Sequence, residues 1–337
     1  MNILVTGGAG YIGSHTVLAL LERGHAVVVL DNFSNSSPKV LSRLEKLAGK
    51  TIPLCQIDIR DRAEVLKVLV GNKIEAVVHF AALKAVGESC EQPLEYFDNN
   101  VGGTISLLSA MQEAKINYFV FSSSATVYGD TDQNPIPENA PRSATNPYGR
   151  SKLIIEDMLQ DVRDAYPEFK AATLRYFNPI GAHPSGFIGE NPLGTPNNLM
   201  PYLCQVAAGK RQKLSVYGND YSTPDGTGMR DYLHVMDLAR AHADALEYLK
   251  KQGENITVNL GTGRAYSVLE MIDTFEQANH VRISHEIIGR RQGDVAALYA
   301  DTRLAKKLLN WQTEFDLSRM CEDAWRWQVN NPQGYET

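Results

Sequence analysis

A tyrosine and a lysine four residues apart, Tyr148 and Lys152, have the most definite chemistry in this chain. In a helix, positions i and i+4 lie on one face, so the two side chains would be neighbours. A phenol with a pKa near ~10 is a poor base at neutral pH, but an adjacent ammonium favours the phenolate and lowers that pKa. Upstream, Ser124 ends an apolar run and is placed to bridge Tyr148 and a substrate oxygen. These three residues predict proton transfer to and from a substrate hydroxyl, although YxxxK alone also arises by chance.

Three glycines near the amino terminus, Gly7, Gly10 and Gly13, follow the spacing GxxGxxG. They lie between a predicted strand at residues 3–6 and a predicted helix at residues 11–23. Glycines let the backbone turn tightly and let a phosphate approach the amide groups, and the helix amino terminus offers the positive end of its dipole. Glycines also make ordinary turns, so this loop by itself is weak evidence for a dinucleotide site.

An aspartate at the end of the second predicted strand strengthens that interpretation. Asp31 follows the glycine loop by roughly 20 residues, where dinucleotide-binding folds place a carboxylate on the adenosine ribose. Such a carboxylate accepts hydrogen bonds from the ribose hydroxyls and repels a 2′-phosphate, which favours NAD over NADP. The alternative is that Asp31 only caps a turn with Asn32. Asp58, after a third predicted strand, is an expected partner of the adenine edge unless it is an ordinary surface carboxylate.

The elements that must position these groups form an alternation of strands and helices. Strands are predicted at residues 3–6, 26–30, 57–59, 76–82 and 118–122, and helices at residues 11–23, 63–70 and 104–114. Continuous apolar strands alternating with helices predict an α/β fold with a doubly wound (Rossmann) parallel sheet covered on both faces. We expect residues 1–178 to form the NAD-binding domain and residues 179–337 to form mainly a smaller substrate lobe that begins with a Pro- and Gly-rich loop. The boundary is soft, because such chains often cross back.

Composition excludes several classes of function. The 337 residues are 43% hydrophobic and 21% charged, which is ordinary globular usage. A formal net charge of −6 argues against general binding to nucleic acid or to an anionic membrane. No stretch approaches the ~20 apolar residues of a membrane helix, and the amino terminus lacks the features of a signal peptide.

Cysteines and histidines give no indication of a metal site. The 4 cysteines are scattered without a CxxC pair, which predicts reduced thiols and a cytoplasmic location. His79, His183 and His234 show no HxxxH or HExxH spacing. We expect these histidines to pack or to hydrogen-bond, and we expect no bound metal.

Taken together, these residues resemble the extended short-chain dehydrogenase/reductase family. The similarity is carried by GxxGxxG, Asp31, YxxxK and the segment Ser124-Ala125-Thr126-Val127-Tyr128-Gly129. Within that family, longer segments resemble the bacterial UDP-galactose 4-epimerases and extend the similarity over nearly the whole chain. These segments are residues 98–101, 174–179, 196–201 and 230–237. They are far more specific than the glycine loop.

The resemblance implies an epimerase that interconverts UDP-galactose and UDP-glucose. Tyr148, as phenolate, would take the proton of the sugar 4-hydroxyl while a hydride passes from C4 to tightly held NAD. The resulting 4-keto sugar would rotate about its glycosyl–phosphate linkage, and the hydride would return to the opposite face. By the same resemblance, Lys152 contacts the nicotinamide ribose, Ser124 lies on the path of the sugar hydroxyl, and two copies of the chain form a homodimer.

The resemblance also implies which residues surround each ligand. The cofactor is expected to contact Gly7, Gly10, Tyr11, Ile12, Gly13, Asp31, Asn32, Asp58, Ile59, Phe80, Ala81, Lys84, Asn99, Ser122, Tyr148, Lys152 and Phe177. The UDP-sugar is expected to contact Ser124, Asn178, Asn198, Leu199, Ser215, Val216, Tyr217, Arg230, Arg291, Asp294 and Leu298. Independently of any family, a guanidinium binds a diphosphate in a bidentate manner, which suits Arg230 and Arg291 unless they are ordinary surface arginines. Asp294 suits a ribose hydroxyl, or it caps a turn.

One position departs from the pattern of that group. Leu298 stands where members restricted to glucose and galactose usually carry a bulky tyrosine, and Tyr299 follows one place later. Leucine is shorter and has no hydroxyl, so the space beside the sugar 2-substituent is expected to be larger. We hypothesise that the enzyme also accepts UDP-N-acetylglucosamine and UDP-N-acetylgalactosamine, unless neighbouring side chains refill that space.

Three alternatives stay open at this point. A nucleotide-sugar 4,6-dehydratase would need carboxylates after the strand, where this chain has Ser124-Ala125-Thr126. A net NAD-dependent oxidoreductase of the same superfamily would release reduced cofactor. A non-catalytic NAD(H)-sensing regulator would have no need of Tyr148, Lys152 and Ser124.

Overall fold

The computed structural model describes residues 1–131, 133–291 and 294–336. The strands of this part of the chain are β1 (Asn2–Thr6), β2 (Ala26–Leu30), β3 (Leu54–Cys55), β4 (Ala76–His79), β5 (Tyr118–Ser124), β6 (Lys170–Tyr176), β7 (Asn178–Ile180), β8 (Leu214–Tyr217), β9 (Met229–Arg230), β10 (Tyr232–His234), β11 (Ile256–Leu260), β12 (Tyr266–Ser267), β13 (His285–Ile288) and β14 (Ala297–Leu298). Seven of them form one parallel sheet in the order β11-β6-β5-β4-β1-β2-β3. The predicted doubly wound α/β fold is therefore confirmed.

Helices connect and cover the strands. They are α1 (Tyr11–Glu22), α2 (Lys39–Ala48), α3 (Arg62–Gly71), α4 (Val86–Glu91), α5 (Pro93–Tyr96), α6 (Gly103–Glu113), α7 (Pro147–Ala165), α8 (Leu199–Ala207), α9 (Val235–Gln252), α10 (Val268–Asn279), α11 (Arg303–Leu309) and α12 (Leu317–Asn330). A π-helix, Phe97–Gly102, precedes α6, and short 3-10 helices span Ala125–Tyr128 and Gly334–Glu336. Within the described ranges, no helix has both the length and the apolar character needed to cross a bilayer.

The sheet is buried on both faces, which explains why its strands are almost continuously apolar. Successive side chains of a strand point to opposite faces. In β1, Ile3 and Val5 pack into a core shared with α1, α2 and α9, whereas Leu4 packs into a second core with α3, α6 and α7. The two cores hold the helices against the sheet and fix the ends of its strands.

One predicted strand is misplaced. The third strand lies at Leu54–Cys55, whereas residues 57–59 are not part of a strand. The Asp58 side chain accepts a hydrogen bond from the backbone N–H of Arg60 at 2.9 Å, and the Asp58 carbonyl accepts from the N–H of Asp61 at 3.0 Å. Local bonds of this kind compete with strand pairing, so the alternating pattern Ile57-Asp58-Ile59 does not form a strand.

The chain leaves the sheet after β6 and later returns to it. Helix α9 packs against β5 and β6, and β11 then pairs with β6 at the sheet edge. Segments far beyond residue 178 thus belong to the sheet layers. The remainder forms a smaller lobe, in which α8, α10 and α12 and the short strands enclose a separate core that includes Met200, Phe275 and Met320.

The direction of winding reverses beside β1. The chain proceeds from β1 to β2 and β3 on one side, and β4 lies on the other side of β1. A crevice forms at such a reversal, outside the carboxyl ends of the strands, and open α/β sheets bind ligands there. The loops after β1 and β4 therefore flank the expected cofactor position.

Candidate active site

In the glycine loop after β1, neighbouring backbone atoms lie too close to Gly7 and Gly13 to leave room for a Cβ. Gly7 has a φ of +67°, and a Cβ there would lie 2.7 Å from the amide nitrogen of Ala81. A Cβ on Gly13 would lie 2.2 Å from the Gly7 carbonyl oxygen. Gly10 caps α1 without a side chain, so no side-chain acceptor at the cap engages the first-turn amides of Tyr11 and Ile12. The loop is a cradle that a Cβ would fill, with the positive end of a 12-residue helix facing an incoming phosphate.

Asp31 lies at the end of β2, buried, with its carboxylate partly used by the protein. Its Oδ2 accepts from the N–H of Ala9 at 3.0 Å, and its Oδ1 accepts from the N–H of Phe33 at 2.9 Å and from the hydroxyl of Ser36 at 2.8 Å. A carboxylate has about four acceptor positions, so one on Oδ2 is left for a ribose hydroxyl. Asp31 thus both caps the turn and can bind the ribose.

The residues predicted on the adenine side of the cofactor lie next to Asp31. The Asn32 side chain donates to Asp58 at 3.1 Å, and the Arg60 guanidinium donates to both oxygens of Asp58. The hydrogen bonds from Arg60 lower the pKa of Asp58 to about 2. Ile59 is buried, and a Cβ on Gly103 would lie 2.5 Å from its Cδ1, so only the backbone of Ile59 can face a ligand.

The loop after β4 is held in place by a residue that the sequence argument did not select. Asn100, in the π-helix, is fully buried and bonds both the N–H and the carbonyl of Leu83, at 2.8 and 3.0 Å. It also donates to Ser151 on α7 at 3.0 Å and accepts from Asn99 at 2.9 Å. The loop that carries Phe80, Ala81 and Lys84 is thereby tied to the helix that carries Tyr148. π-Helical turns are frequent at functional sites, but the periodicity of the sequence did not reveal this one.

Two predicted ligand contacts from different lobes meet at one unpredicted carboxylate. The Lys84 ammonium lies 3.3 Å from Glu190 Oε1, and the Asn198 amide donates to the same oxygen at 3.1 Å. Nearby, the Tyr11 hydroxyl donates to the carbonyl of Gly181 at 2.8 Å. These contacts join the cofactor side of the crevice to the lobe and bring the two predicted shells together.

The predicted catalytic residues converge at the carboxyl end of β5. Asn146 caps α7 through the N–H of Gly149 at 2.9 Å, and Tyr148 and Lys152 lie on the buried face of that helix. The Lys152 ammonium donates to the carbonyl of Ser122 at 2.9 Å. The last residue of β5, Ser124, lies beside the Tyr148 phenol. The hydroxyl of Ser122 itself is bonded to Tyr176, at 2.5 Å.

The protonation of this pair differs from the sequence-based expectation. Burial raises the pKa of Tyr148, and a hydrogen bond from Ser124 only partly offsets the rise. Burial also lowers the pKa of Lys152 to about 7, against an opposing effect of Glu156. The Lys152 ammonium lies 6.0 Å from the centre of the Tyr148 ring. The pKa of Tyr148 in the protein by itself therefore lies above its ordinary value, contrary to the expectation that the ammonium would lower it, because burial outweighs the hydrogen bond from Ser124.

The predicted diphosphate ligands of the lobe are also brought together. Asp294 accepts from Arg291 at 2.9 and 3.1 Å and lies 3.4 Å from the Arg230 guanidinium. Arg291 also lies over the Tyr217 ring, 5.4 Å from its centre. Two guanidinium groups and one carboxylate leave a net positive charge, which suits a diphosphate. The neighbouring Arg290 instead pairs with Asp220 at 2.6 Å on the exposed surface.

The other predicted contacts of the UDP-sugar differ in whether they can offer a side chain or only backbone atoms. In β8, Val216 is buried in the lobe core, so it can offer only its backbone, while Tyr217 is exposed and Ser215 is partly so. Asn178 begins β7 and donates its N–H to the Asp231 carbonyl at 3.0 Å. Leu199 is the first residue of α8. Phe177, a predicted contact of the cofactor, is buried and donates its N–H to the carbonyl of Leu260 in the main sheet, at 3.2 Å.

Leu298 lies between the two halves of the site. Strand β14 pairs with β9 so that Leu298 is in register with Arg230. The Leu298 side chain packs against a cluster that contains Ala125 and Phe177, the neighbours of Ser124 and Asn178. The position is therefore adjacent both to the strand end that carries the predicted catalytic Ser124 and to Arg230, a predicted diphosphate ligand.

The three histidines are buried or half-buried hydrogen-bonding groups. His79 lies between the hydroxyls of Thr6 and Thr104, at 2.7 and 3.1 Å. His234 lies 3.3 Å from Asp323, and His183 contacts a nearby serine hydroxyl at 2.7 Å. Among the residues that the structure describes, no group of three His, Cys, Asp or Glu side chains could hold a metal ion.

Comparisons with known proteins match nearly the whole chain. A family profile described as GDP-mannose 4,6 dehydratase matches residues 4–324. The chain is 54% identical to a UDP-glucose 4-epimerase of Neisseria meningitidis serogroup C over 336 residues, which cover 99% of each. It is similar, with a TM-score of 0.98 and 51% identity over 99% of both chains, to a UDP-glucose 4-epimerase of Stenotrophomonas maltophila with bound NAD and formylated UDP-arabinopyranose. Another, of Bifidobacterium longum with NAD+ and UDP, gives a TM-score of 0.95 and 48% identity over 99% of this chain and 100% of that one.

Proposed function

Since the chain belongs to the UDP-glucose 4-epimerases of the extended short-chain dehydrogenase/reductase family, we propose a role in that reaction for each of its site residues. The chain interconverts UDP-glucose and UDP-galactose with NAD as cofactor. The observation that carries the assignment of roles is the convergence of Tyr148, Lys152 and Ser124 at the same edge of the parallel sheet as a glycine cradle that fits a dinucleotide.

The cradle holds the cofactor through the chain's own backbone and carboxylates. The first-turn amides of α1 bind the pyrophosphate, and the remaining acceptor position of Asp31 binds the adenosine ribose. Lys84, now paired with Glu190, lies at the edge of the same crevice and offers a positive charge to a phosphate. When bound, NAD supplies the chemistry that the side chains lack, because it accepts a hydride from C4 of the sugar and returns it.

Proton transfer is assigned to the buried pair on α7. Tyr148 accepts the proton of the 4-hydroxyl and later gives it back, with the Ser124 hydroxyl bridging the two oxygens. Since burial disfavours the phenolate, the ammonium of Lys152 must remain charged for Tyr148 to act as a base. The Ser122 carbonyl, 2.9 Å from the ammonium, orients it toward this position.

The lobe anchors the substrate by its nucleotide and leaves the hexose free to turn. Arg230 and Arg291 bind the diphosphate, and Asp294 either accepts from a ribose hydroxyl or keeps the two guanidinium groups in place. Because the proposed contacts are made to the nucleotide and not to the hexose, they permit the rotation that inversion at C4 requires.

Product analysis with purified enzyme tests the proposal. We expect UDP-galactose to yield UDP-glucose without added NAD and without accumulation of reduced-nicotinamide absorbance. Accumulating absorbance would indicate a net oxidoreductase, and a 4-keto-6-deoxy product would indicate a dehydratase. The second result is not expected, because Ser124-Ala125-Thr126 provides no carboxylate for an elimination at the end of β5. Binding of NAD without any turnover would indicate a regulator.

A wider substrate range is a second part of the proposal. The Leu298 side chain borders the cluster beside Ser124, where a tyrosine would add a ring and a hydroxyl. We expect the enzyme to act on UDP-N-acetylgalactosamine as well as UDP-galactose, and Leu298→Tyr to reduce turnover of the acetylated substrate far more than that of the plain one. Leu298→Met, which keeps the volume, serves as the control. Equal losses on both substrates in Leu298→Tyr would refute the gate.

A homodimer is the third part of the proposal, with a second copy of the chain as the partner. Leu94 on α5, Ile105 on α6 and Ile154 on α7 are 81%, 49% and 38% exposed on three neighbouring helices. Covering apolar surface of this kind with a partner lowers the free energy of the assembly. We expect a dimer in sedimentation experiments, and dissociation when Leu94 and Ile154 are both changed to lysine. Val70→Lys, which alters an exposed residue of α3, should leave the dimer intact.

A further inference from the structure

A buried ion pair lies behind the catalytic residues and has no part in the reaction as described so far. Glu156 on α7 and Arg175 on β6 are 6% and 5% exposed. The guanidinium donates to both carboxylate oxygens, with Nη2 at 2.6 Å and Nε at 2.9 and 3.2 Å. Replacing such a pair by well-packed apolar residues is often neutral or stabilising, so stability alone does not explain it.

The pair is connected directly to the strand end that forms the active site. The Ser123 hydroxyl donates to Glu156 at 2.6 Å. Ser123 is flanked by Ser122, whose carbonyl accepts from Lys152, and by Ser124, which contacts the Tyr148 phenol. One carboxylate therefore fastens the end of β5 to α7 at the point where both catalytic side chains need their partners.

The same carboxylate is the anion next to Lys152 on its own helix, one turn further along. The other groups that face the catalytic pair are His79 on β4, Tyr96 on α5 with Glu88 on α4, and Tyr176 and Arg175 on β6. Burial lowers the pKa of His79 to about 3, which leaves it neutral. Glu88 is occupied by the Tyr96 hydroxyl at 2.6 Å. The charge of Glu156 raises the pKa of Lys152 against burial, and Arg175 partly neutralises that charge.

We propose that Glu156 and Arg175 are positioning residues of the epimerase reaction: Glu156 keeps Lys152 protonated and holds the end of β5 against α7, and Arg175 limits how strongly it does so. The inference rests on the proposed roles of Tyr148 and Lys152. Arg142, whose Nη1 lies 3.2 Å from Glu156 and which is partly exposed, completes the charge environment from outside.

The pH dependence of kcat in three variants tests this proposal, because the two charges act on Lys152 with opposite sign. Activity falls on the alkaline side as Lys152 loses its proton. Glu156→Gln should move this alkaline limb to lower pH by about 1 unit. Arg175→Gln should move it to higher pH, because the charge of Glu156 is then less neutralised. Arg142 still pairs with the carboxylate. The double variant should lie close to the wild type.

A carboxylate one position away provides a matched control. Asp157 is on the same helix and pairs with Arg142 at 2.7 Å, but its side chain is 58% exposed. Asp157→Asn removes the same charge and should leave the alkaline limb unmoved, because solvent screens it.

Shifts of both single variants in the same direction, or losses of kcat at every pH with an unmoved limb, would overturn the proposal and indicate a purely structural pair. Melting temperature and retained NAD are measured for each variant, and if Glu156→Gln does not fold, Arg175→Gln and the double variant decide. A wild-type protein that makes no UDP-glucose would instead refute the proposed function, so the two failures are distinguishable.

Discussion

The site has a cofactor side, at the glycine loop and the strand ends, and a nucleotide side, in the smaller lobe. The two sides offer different kinds of group to a charged ligand. On the cofactor side, the proposed binding groups are backbone amides at residues 7–12 and buried side chains at the ends of parallel strands. On the nucleotide side, the proposed binding groups are long arginine side chains near the short strands β9 and β14, and Asp294 pairs with both of them.

The difference indicates which binding groups are already held in position before a ligand arrives. Backbone amides and buried residues such as Tyr148 and Lys152 are held by two cores and lose little freedom when a ligand arrives. In the proposed function, Arg230 and Arg291 would exchange a protein carboxylate for a diphosphate, so we expect their binding to be adjustable and sensitive to salt. Damage on the first side should abolish chemistry or cofactor retention, while damage on the second should mainly weaken substrate binding.

Removing the phenol of Tyr148 should have the largest effect on kcat. A smaller effect would contradict the contrast between the two sides of the site. Tyr148→Phe is expected to lower kcat by roughly 100-fold to 10,000-fold, because the general base is lost, while NAD stays bound. Tyr166→Phe, at the exposed end of the same helix, should be neutral. Turnover like that of the wild type in Tyr148→Phe would remove the assigned role.

A methyl group in the glycine cradle should have the next largest effect. In Gly13→Ala the new Cβ would lie 2.2 Å from the Gly7 carbonyl oxygen, so the loop must shift. We expect the purified protein to retain less than about a tenth of the NAD that the wild type carries, as judged by release on denaturation, since the amides lose their alignment. Gly71→Ala, where no heavy atom lies within 4 Å, is the matched control. Full NAD retention in Gly13→Ala would show that the cradle is not preorganised.

A conservative change on the nucleotide side should have the smallest effect and sharpens the comparison. Arg291→Lys loses the bidentate geometry, so the KM for UDP-galactose should rise by about tenfold with kcat little changed. Arg290→Lys, which alters the exposed pair with Asp220 and the contact with the Tyr221 ring, should leave KM unchanged. A fall in kcat or in NAD retention in Arg291→Lys would mean that the two sides are coupled.

The sequence predicted the parts of the site that depend on local spacing. Tyr148 and Lys152 share a helix face because they are four residues apart, and the glycine loop lies between a strand and a helix because of the periodicity around it. The doubly wound sheet followed from the alternation of apolar strands and helices. The third strand was misplaced because the turn at Asp58 is set by bonds to Arg60 that alternation does not reveal.

The tertiary structure alone decided which distant charges meet and what burial does to them. The contacts of Arg175 with Glu156, of Lys84 with Glu190 and of Arg230 with Asp294 join residues far apart in the chain, and only the topology of the sheet and lobe brings them together. The direction of the pKa shift of Tyr148 was likewise unpredictable, because the cost of removing a charge from water depends on everything packed around it. Local spacing determines which residues share a face, whereas desolvation and pairing are properties of the folded whole.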